Sequence, residues 1–353
     1  MIKIKVPGKL YIAGEYAVVE AGYPAILVTI DRFIYFTLNQ TLIKGSLTSK
    51  NFQETPLVWT RNANMITFSK PNNAFKYVVA AIKVTEKYAM EQHVKLKYFD
   101  LNIKSELDSP DGKKFGLGSS AAVTVGTVKI LNKFYDLHLT LEQIFKLAAL
   151  AHFYVQGNGS LGDIAAITYE GWVAYYSFNR QWLKNTHFST ISALISHEWP
   201  QLKIFHLKAP KSLTLLVGWS GTPASTSQLL KTVKNKDLYE YYHFITQSKK
   251  CVETLIQAFK CQNIIIIQEQ IIQNRNLLLQ LSKTANMEIE TPRLKELIEI
   301  AHHYHAVAKT SGAGGGDCGI AFATSQTDIP NLLKTWKHKK ILPLDLKTYR
   351  EEQ

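Results

Sequence analysis

Cysteine is nearly missing from this chain. Cys251, Cys261 and Cys318 are its 3 thiols, an odd number with no C-x-x-C spacing, so neither a disulfide framework nor a thiolate zinc site is indicated. That usage fits a reducing cytoplasm. Long hydrophobic runs are missing as well: stretches such as the isoleucines at 264–267 fall far short of the roughly 20 residues that span a bilayer. Residues 2–6 alternate apolar and basic with no apolar leader, which disfavours secretion and membrane insertion. There is no low-complexity tract, long polar linker or solenoid repeat, and 46% hydrophobic against 20% charged residues is the composition of a folded globular chain. Acidic side chains are the minority charge, 28 against 41 basic, for a net charge of +13. The basic residues are scattered, with concentrations only at Lys113-Lys114, Lys249-Lys250 and 337–340, and no nucleic-acid-binding module accompanies them. A small polyanion suits that surplus better than a nucleic acid. The expectation is a cytoplasmic protein, monomer or homodimer, with a small-molecule substrate and neither nucleic acid nor membrane as partner.

What is present is a glycine-rich run, Gly116-Leu117-Gly118-Ser119-Ser120-Ala121-Ala122, opening an apolar stretch of helical pattern. The first N–H groups of a helix lack intrahelical partners, the helix dipole is positive there, and glycines let an anion approach the main chain. An anionic, phosphorylated ligand is the expectation. The run also matches the G-x-G-x-x-G/A dinucleotide fingerprint, with Asp136 at a suitable distance for a ribose contact. That reading requires a buried strand directly before the glycines and a second one ending near Asp136. The preceding residues, 105–115, are polar with Pro110 and Gly112, and the following ones read as helix, turn and helix.

At 353 residues the chain exceeds what one core usually supports, so two closely packed units are expected. Strand patterns lie at 23–38, 57–68, 94–107 and 170–178, and helical periodicity at 72–90, 121–135 and 139–156. After an irregular stretch at 180–212, a strand pattern at 213–220 begins a second unit with long helical patterns between 225 and 305. Mixed α+β is the class.

Two further segments flank the glycine run. At 6–26 the alternating strand meets a Pro-Gly turn that places Lys9 directly after it. At 309–322, glycines crowd a loop ahead of a short apolar strand, leaving main-chain N–H groups free to form an anion-binding nest. In this order the three segments resemble the three motifs of the GHMP kinase superfamily, the small-molecule kinases of galactose, homoserine, mevalonate and phosphomevalonate. The resemblance spans residues 6 to 322. Within the superfamily, 156–178 and 217–230 resemble the bacterial phosphomevalonate kinases: Gly157-Asn158-Gly159-Ser160-Leu161-Gly162-Asp163 stands where mevalonate kinases usually show His-Gly-x-Pro-Ser-Gly-x-Asp.

The resemblance implies an N-terminal ATP-binding domain like ribosomal protein S5 domain 2 (1–180), a ferredoxin-like C-terminal domain (181–353), and an active site in the cleft between them. It implies ATP and Mg²⁺ as cofactors, with Gly116, Leu117, Gly118, Ser119, Ser120 and Ala121 holding the triphosphate and Ser120 also serving as a metal ligand. Because no G-x-x-x-x-G-K-[ST] occurs, the catalytic lysine comes from elsewhere, and the resemblance points to Lys9, with Asp163 as base or lysine partner. Asp163 also reads as a favourable charge at a helix N-terminus, and Ser160 as a substrate hydroxyl or an N-cap. Ser225 and Thr226 resemble a substrate-contacting segment, with an N-cap as the other reading. Ser311, Gly314, Gly315 and Asp317 would face the acceptor or the γ-phosphate, or in the case of Asp317 fix the loop. Tyr16 suits the substrate pocket or the core equally. Two polyanions brought together need cations, for which Lys113, Lys114 and Arg275 are candidates, Arg275 reading equally as part of a solvated helix face. His302, His303 and His305 sit at a helix end without matching ligand spacing and are not taken as a metal site.

The implied reaction is phosphorylation of (R)-5-phosphomevalonate to the diphosphate. Mevalonate kinase and diphosphomevalonate decarboxylase are the rivals within the enzyme class, and a non-catalytic ligand sensor is the rival outside it. Retention of Lys9, Ser120, Asp163 and the full glycine loop favours catalysis.

Overall fold

The computed structural model describes residues 1–50, 53–70, 73–109, 112–222 and 238–351. Its first layer is an eight-stranded sheet, in which β1 (Ile2–Ala13), β2 (Pro24–Thr41), β3 (Gly45–Ser49), β4 (Gln53–Asn62), β5 (Met65–Phe68), β6 (Tyr98–Ser105), β7 (Trp172–Tyr176) and β8 (Lys203–Leu207) run in the order β5-β4-β3-β6-β2-β7-β8. β1 pairs antiparallel with β2 beside that path. Residues 2–5 of β1 alternate between half-buried isoleucine and exposed lysine, as a strand wet on one face does, and from Val6 to Leu10 burial becomes continuous. The 57–68 pattern is therefore a hairpin rather than one strand, turning where Ala63 takes a positive φ of 53°.

Helices α1 (Lys76–Glu91), α2 (Ser119–Tyr135), α3 (Leu141–Gln156) and α4 (Gly162–Tyr169) cover this sheet. α2 lies unusually close to β2: a Cβ on Gly126 would stand 2.2 Å from the Phe36 ring, so only glycine permits that approach. α3 starts with a capping box in which Thr140 and Gln143 satisfy one another's backbone N–H, and ends at Gly157 with φ 72°. The stretch expected to be irregular holds two short helices, α5 (Arg180–Asn185) and α6 (Ile191–Ser196), and β8. Because β8 pairs with β7, the large sheet continues beyond residue 180.

A second, four-stranded antiparallel sheet has the order β10-β11-β9-β12, from β9 (Thr214–Trp219), β10 (Val307–Thr310), β11 (Cys318–Ala323) and β12 (Leu342–Leu344). The helices of this part are α7 (Leu238–Lys260), α8 (Ile264–Thr284), α9 (Pro292–His303) and α10 (Ile329–His338). Gly218 and Gly319 sit opposite each other in the β9–β11 register, and a Cβ on either would be 2.7 Å from Leu297 of α9. The paired glycines let the helix seat on the sheet. The fold is α+β, in two parts.

The end of the chain returns to the first sheet. Thr348 bridges Ile30, and the N–H groups of Asp31, Tyr349 and Gly171 each donate 2.9 Å bonds, to the carbonyls of Lys347, Thr29 and Tyr349. No helix among the described residues is long and apolar enough to cross a membrane.

Candidate active site

Lys9 sits in β1 immediately after the irregularity at Pro7-Gly8. Its backbone N–H donates to the Leu117 carbonyl at 2.9 Å and its ammonium donates to the Gly116 carbonyl at 3.0 Å, so the strand and the glycine run are fastened together twice. Gly118, with φ 86°, lies against this lysine: a Cβ there would be 2.9 Å from the Lys9 Cε. The glycine is required both for its backbone conformation and for room. Lys9 is only 8% exposed. Burial lowers its pKa from the ordinary lysine value, and the negative charges of Asp163, Asp317 and Glu15 work against that shift.

α2 begins at Ser119 with no side chain capping it. Its first turn therefore offers open N–H groups and the positive end of the dipole to the cavity. That cavity, of about 280 Å³, is lined by Lys9, Lys114, Gly116, Leu117, Gly118, Ser119, Ser120, Asp163, Tyr16, Ser160, Ser311 and Asp317 among others. Ala121 is instead fully buried in the core beneath the turn. Asp163 stands in the first turn of α4, its Oδ1 accepting from the Ile164 N–H at 3.0 Å.

The Ser160 hydroxyl lies 2.8 Å from the Tyr11 hydroxyl and accepts from the Gly162 N–H at 3.2 Å, while the Ser160 carbonyl accepts from Tyr175 at 2.7 Å. It is not the N-cap of α4, a position held by Leu161 in a left-handed conformation. Tyr16 stands in the cavity lining and in the core at once. It lines the cavity, packs into a core cluster with Phe244, Leu277 and Ile289, and donates its hydroxyl to the Ala313 carbonyl.

The third segment departs from the expected arrangement. Ser311 lines the cavity, yet its hydroxyl is engaged with main chain: it donates to the Tyr11 carbonyl at 2.9 Å and accepts from the Tyr11 N–H at 3.0 Å. Gly314 and Gly315 do not line the cavity. The Gly315 N–H donates to the Ile289 carbonyl at 2.8 Å, and Gly314 packs on the same carbonyl so closely that a Cβ would be 2.2 Å away. The loop residues that do face the cavity are Gly312 and Ala313. Asp317 reaches it from the other end of the loop, against Gly116, where a Cβ would lie 2.5 Å from its carboxylate.

Two of the expected cations are elsewhere. Arg275 of α8 is held by Glu290 through a pair of bonds at 2.8 and 2.7 Å, a fork that occupies the guanidinium face a phosphate would use. Lys113 lies in an exposed turn outside the cavity lining, whereas Lys114 stands on its rim. Ser225 and Thr226 fall outside the described residues.

Sequence reasoning missed Glu15, Tyr11, His152, Gln156 and Asn158, all in the cavity wall. Tyr11 was within reach, since it shares the strand face of Lys9 two residues on. His152 gave no signal inside an apolar helix. It is 2% exposed, stacks on Tyr77 with centroids 4.8 Å apart, and brings Nε2 within 3.4 Å of the Ser120 hydroxyl. Burial lowers its pKa, with Asp163 opposing.

Among the described residues no group of three or more His, Cys, Asp or Glu side chains is placed to hold a metal ion, and His302, His303 and His305 form no such group. The Ser120 hydroxyl and Asp163 carboxylate do line the same cavity. Mg²⁺ prefers one or two protein oxygens with phosphate and water completing its shell, so this sparse oxygen set fits Mg²⁺ brought in with a nucleotide.

Residues 76–171 match the GHMP kinases N terminal domain and residues 265–341 the GHMP kinases C terminal domain. The chain is 35% identical to the phosphomevalonate kinase of Streptomyces sp. (strain CL190), over 96% of this chain and 95% of that one. It is 29% identical to a Methanocaldococcus jannaschii mevalonate kinase over 92% and 93% of the two chains. The Streptococcus pneumoniae phosphomevalonate kinase in complex with phosphomevalonate and AMPPNP superposes with a TM-score of 0.85 at 31% identity, covering 99% of this chain and 100% of that one.

Proposed function

The chain belongs to the GHMP kinase family, and on that footing we propose that it transfers the γ-phosphoryl group of ATP to (R)-5-phosphomevalonate, giving 5-diphosphomevalonate and ADP in the mevalonate route to isoprenoids. The observation that carries the acceptor assignment is similarity to phosphomevalonate kinases along nearly the whole chain, at 35% identity.

The cavity supplies what phosphoryl transfer asks of a protein, which is positioning and charge neutralisation. The uncapped first turn of α2 binds the nucleotide phosphates through main-chain N–H groups. Lys9, fixed at the Gly116 carbonyl, carries its charge beside the transferred group. At about 4 Å one such cation offsets roughly 4 kcal/mol at an effective dielectric near 20. Lys114 adds a second cation at the rim. Asp163, Asp317 and Glu15 crowd this lysine with negative charge, which makes further cations necessary once polyanions enter. Ser120 and Asp163 would help hold Mg²⁺, which would supply positive charge to the phosphates.

A phosphate-monoester acceptor has a second pKa near 6 and is already nucleophilic at neutral pH. Asp163 then needs no proton to remove, and its role here is to orient Lys9 and the acceptor. Ser160, fixed by Tyr11 and Tyr175, and Tyr16 shape the acceptor side. The three unpaired thiols support a cytoplasmic setting.

ADP release measured with Mg·ATP and each of phosphomevalonate, mevalonate and 5-diphosphomevalonate tests the assignment. Turnover with phosphomevalonate alone supports it, turnover with mevalonate transfers the chain to the mevalonate kinases, and no turnover with any acceptor favours a ligand sensor.

A further inference from the structure

Glu15 and Lys309 form a buried ion pair that the transfer reaction as described above does not use. The Lys309 ammonium donates to Glu15 Oε1 at 2.6 Å and to the Thr310 carbonyl at 2.6 Å, and the two side chains are 0% and 2% exposed. The same Oε1 accepts from the Gly312 N–H at 3.3 Å, while Oε2 is buried with no hydrogen-bond partner. Glu15 follows β1, Lys309 stands near the end of β10, and Gly312 lies in the glycine loop that follows it, nearly 300 residues later. Glu15 lines the cavity, as Tyr16 and Gly312 do.

A buried ion pair contributes little net stability compared with apolar residues of the same volume, yet removing one partner is costly because the other charge is left unpaired. The pair is therefore not explained by stability alone. Its placement serves geometry: Glu15 takes the one loop N–H that would otherwise move with Gly312, and Lys309 allows a carboxylate to stay there, in a cavity built for polyanions.

We propose that Glu15 is a positioning residue which, neutralised by Lys309, holds Gly312 and the glycine loop in the arrangement that phosphoryl transfer requires. This rests on the kinase reading above. Without Lys309, the unpaired carboxylate repels the incoming anions and releases the loop. With both charges removed, a glutamine at 15 still accepts from Gly312.

The test compares wild type, Lys309→Met, Glu15→Asp and the double variant Glu15→Gln/Lys309→Met, by steady-state ADP release per folded molecule and by hydrogen exchange of the 311–317 amides without ligand. The exchange measurement does not depend on which acceptor is used, and wild-type turnover checks the kinase reading by itself. Lys309→Met is expected to lower kcat at least about tenfold, with KM for ATP changed less than about threefold, and to speed exchange at the loop. The double variant should recover kcat to within about threefold of wild type. Should Lys309→Met not fold, Glu15→Asp carries the test, since it keeps the charge pair but shortens the reach to Gly312. Lower kcat at an unchanged melting temperature is expected. Wild-type kcat and loop exchange in Glu15→Asp, or a double variant no more active than Lys309→Met, would overturn the proposal.

Discussion

At Lys9 two influences oppose each other: burial pushes the ammonium toward neutrality, and the carboxylates of Asp163, Asp317 and Glu15 hold the proton on. Burial prevails, so the pKa lies below the ordinary lysine value. If the charged form is the active one, activity is present at low and neutral pH and lost as pH rises through that lowered pKa. The alkaline limb of kcat/KM, which reports the free enzyme, is expected below the usual lysine range. Bound polyphosphate favours the ammonium, so the limb in kcat should lie at higher pH than the limb in kcat/KM. A pH profile of both constants, with Lys9→Arg lacking the limb, checks the assignment. Coincident limbs at the ordinary lysine value would contradict it. Removal of the charge should also exceed loss of its neighbour: Lys9→Ala is expected to lower kcat by about 10³ or more, Asp163→Asn by about 10 to 10², because a phosphate acceptor needs no general base. An equal loss in both would return Asp163 to the role of base.

Secondary structure was legible where a pattern ran long. Periodicity placed helices at 121–135 and 139–156, and they run at Ser119–Tyr135 and Leu141–Gln156, the second bounded by its own capping box and C-terminal glycine. Short elements escaped, as β8, α5 and α6 are only 5 or 6 residues long and carry too few apolar repeats to stand out. The site shows the same division. Glycine runs betray themselves locally, because a chain bends that tightly only with particular residues. Glu15, His152 and Lys309 owe their places to partners far away in sequence, and the hydrogen bonds of Arg275 to Glu290 could not be read from a helical pattern. The α2 start offers a paired test. Gly118→Ala puts a side chain at φ 86° and 2.9 Å from Lys9, whereas Gly112→Ala, also at positive φ, meets nothing within 4 Å. Both carry strain of about 1 kcal/mol. Only Gly118→Ala should raise KM for ATP and lower kcat, by about tenfold or more. Equal kinetics in the two variants would show that the contact with Lys9 is irrelevant.

Across the whole molecule, the two sheets are tied through the third segment, where Ser311 bonds Tyr11 of β1, and Ala313 and Lys309 bond Tyr16 and Glu15 just after it, and through the chain's end. Phe33 and Tyr349 meet edge to face at 4.7 Å, with the Lys5 ammonium 4.2 Å from the Phe33 ring centre. Ending the chain after Leu346 removes two backbone hydrogen bonds from β2, at Thr29 and Asp31, and a third from Gly171 just before β7, at roughly 1 kcal/mol each. For a chain of this size the melting temperature should fall by about 5 °C or more, and an unchanged melting curve would show the tail to be incidental.

The central claim is the identity of the acceptor. Initial rates of ADP release with Mg·ATP and phosphomevalonate, against mevalonate at equal concentration, test it most directly. The account predicts rapid turnover with phosphomevalonate and at least about a hundredfold lower kcat/KM with mevalonate, because a site that hydrogen-bonds a substrate group rejects an analogue lacking it. Comparable or faster turnover with mevalonate would contradict it.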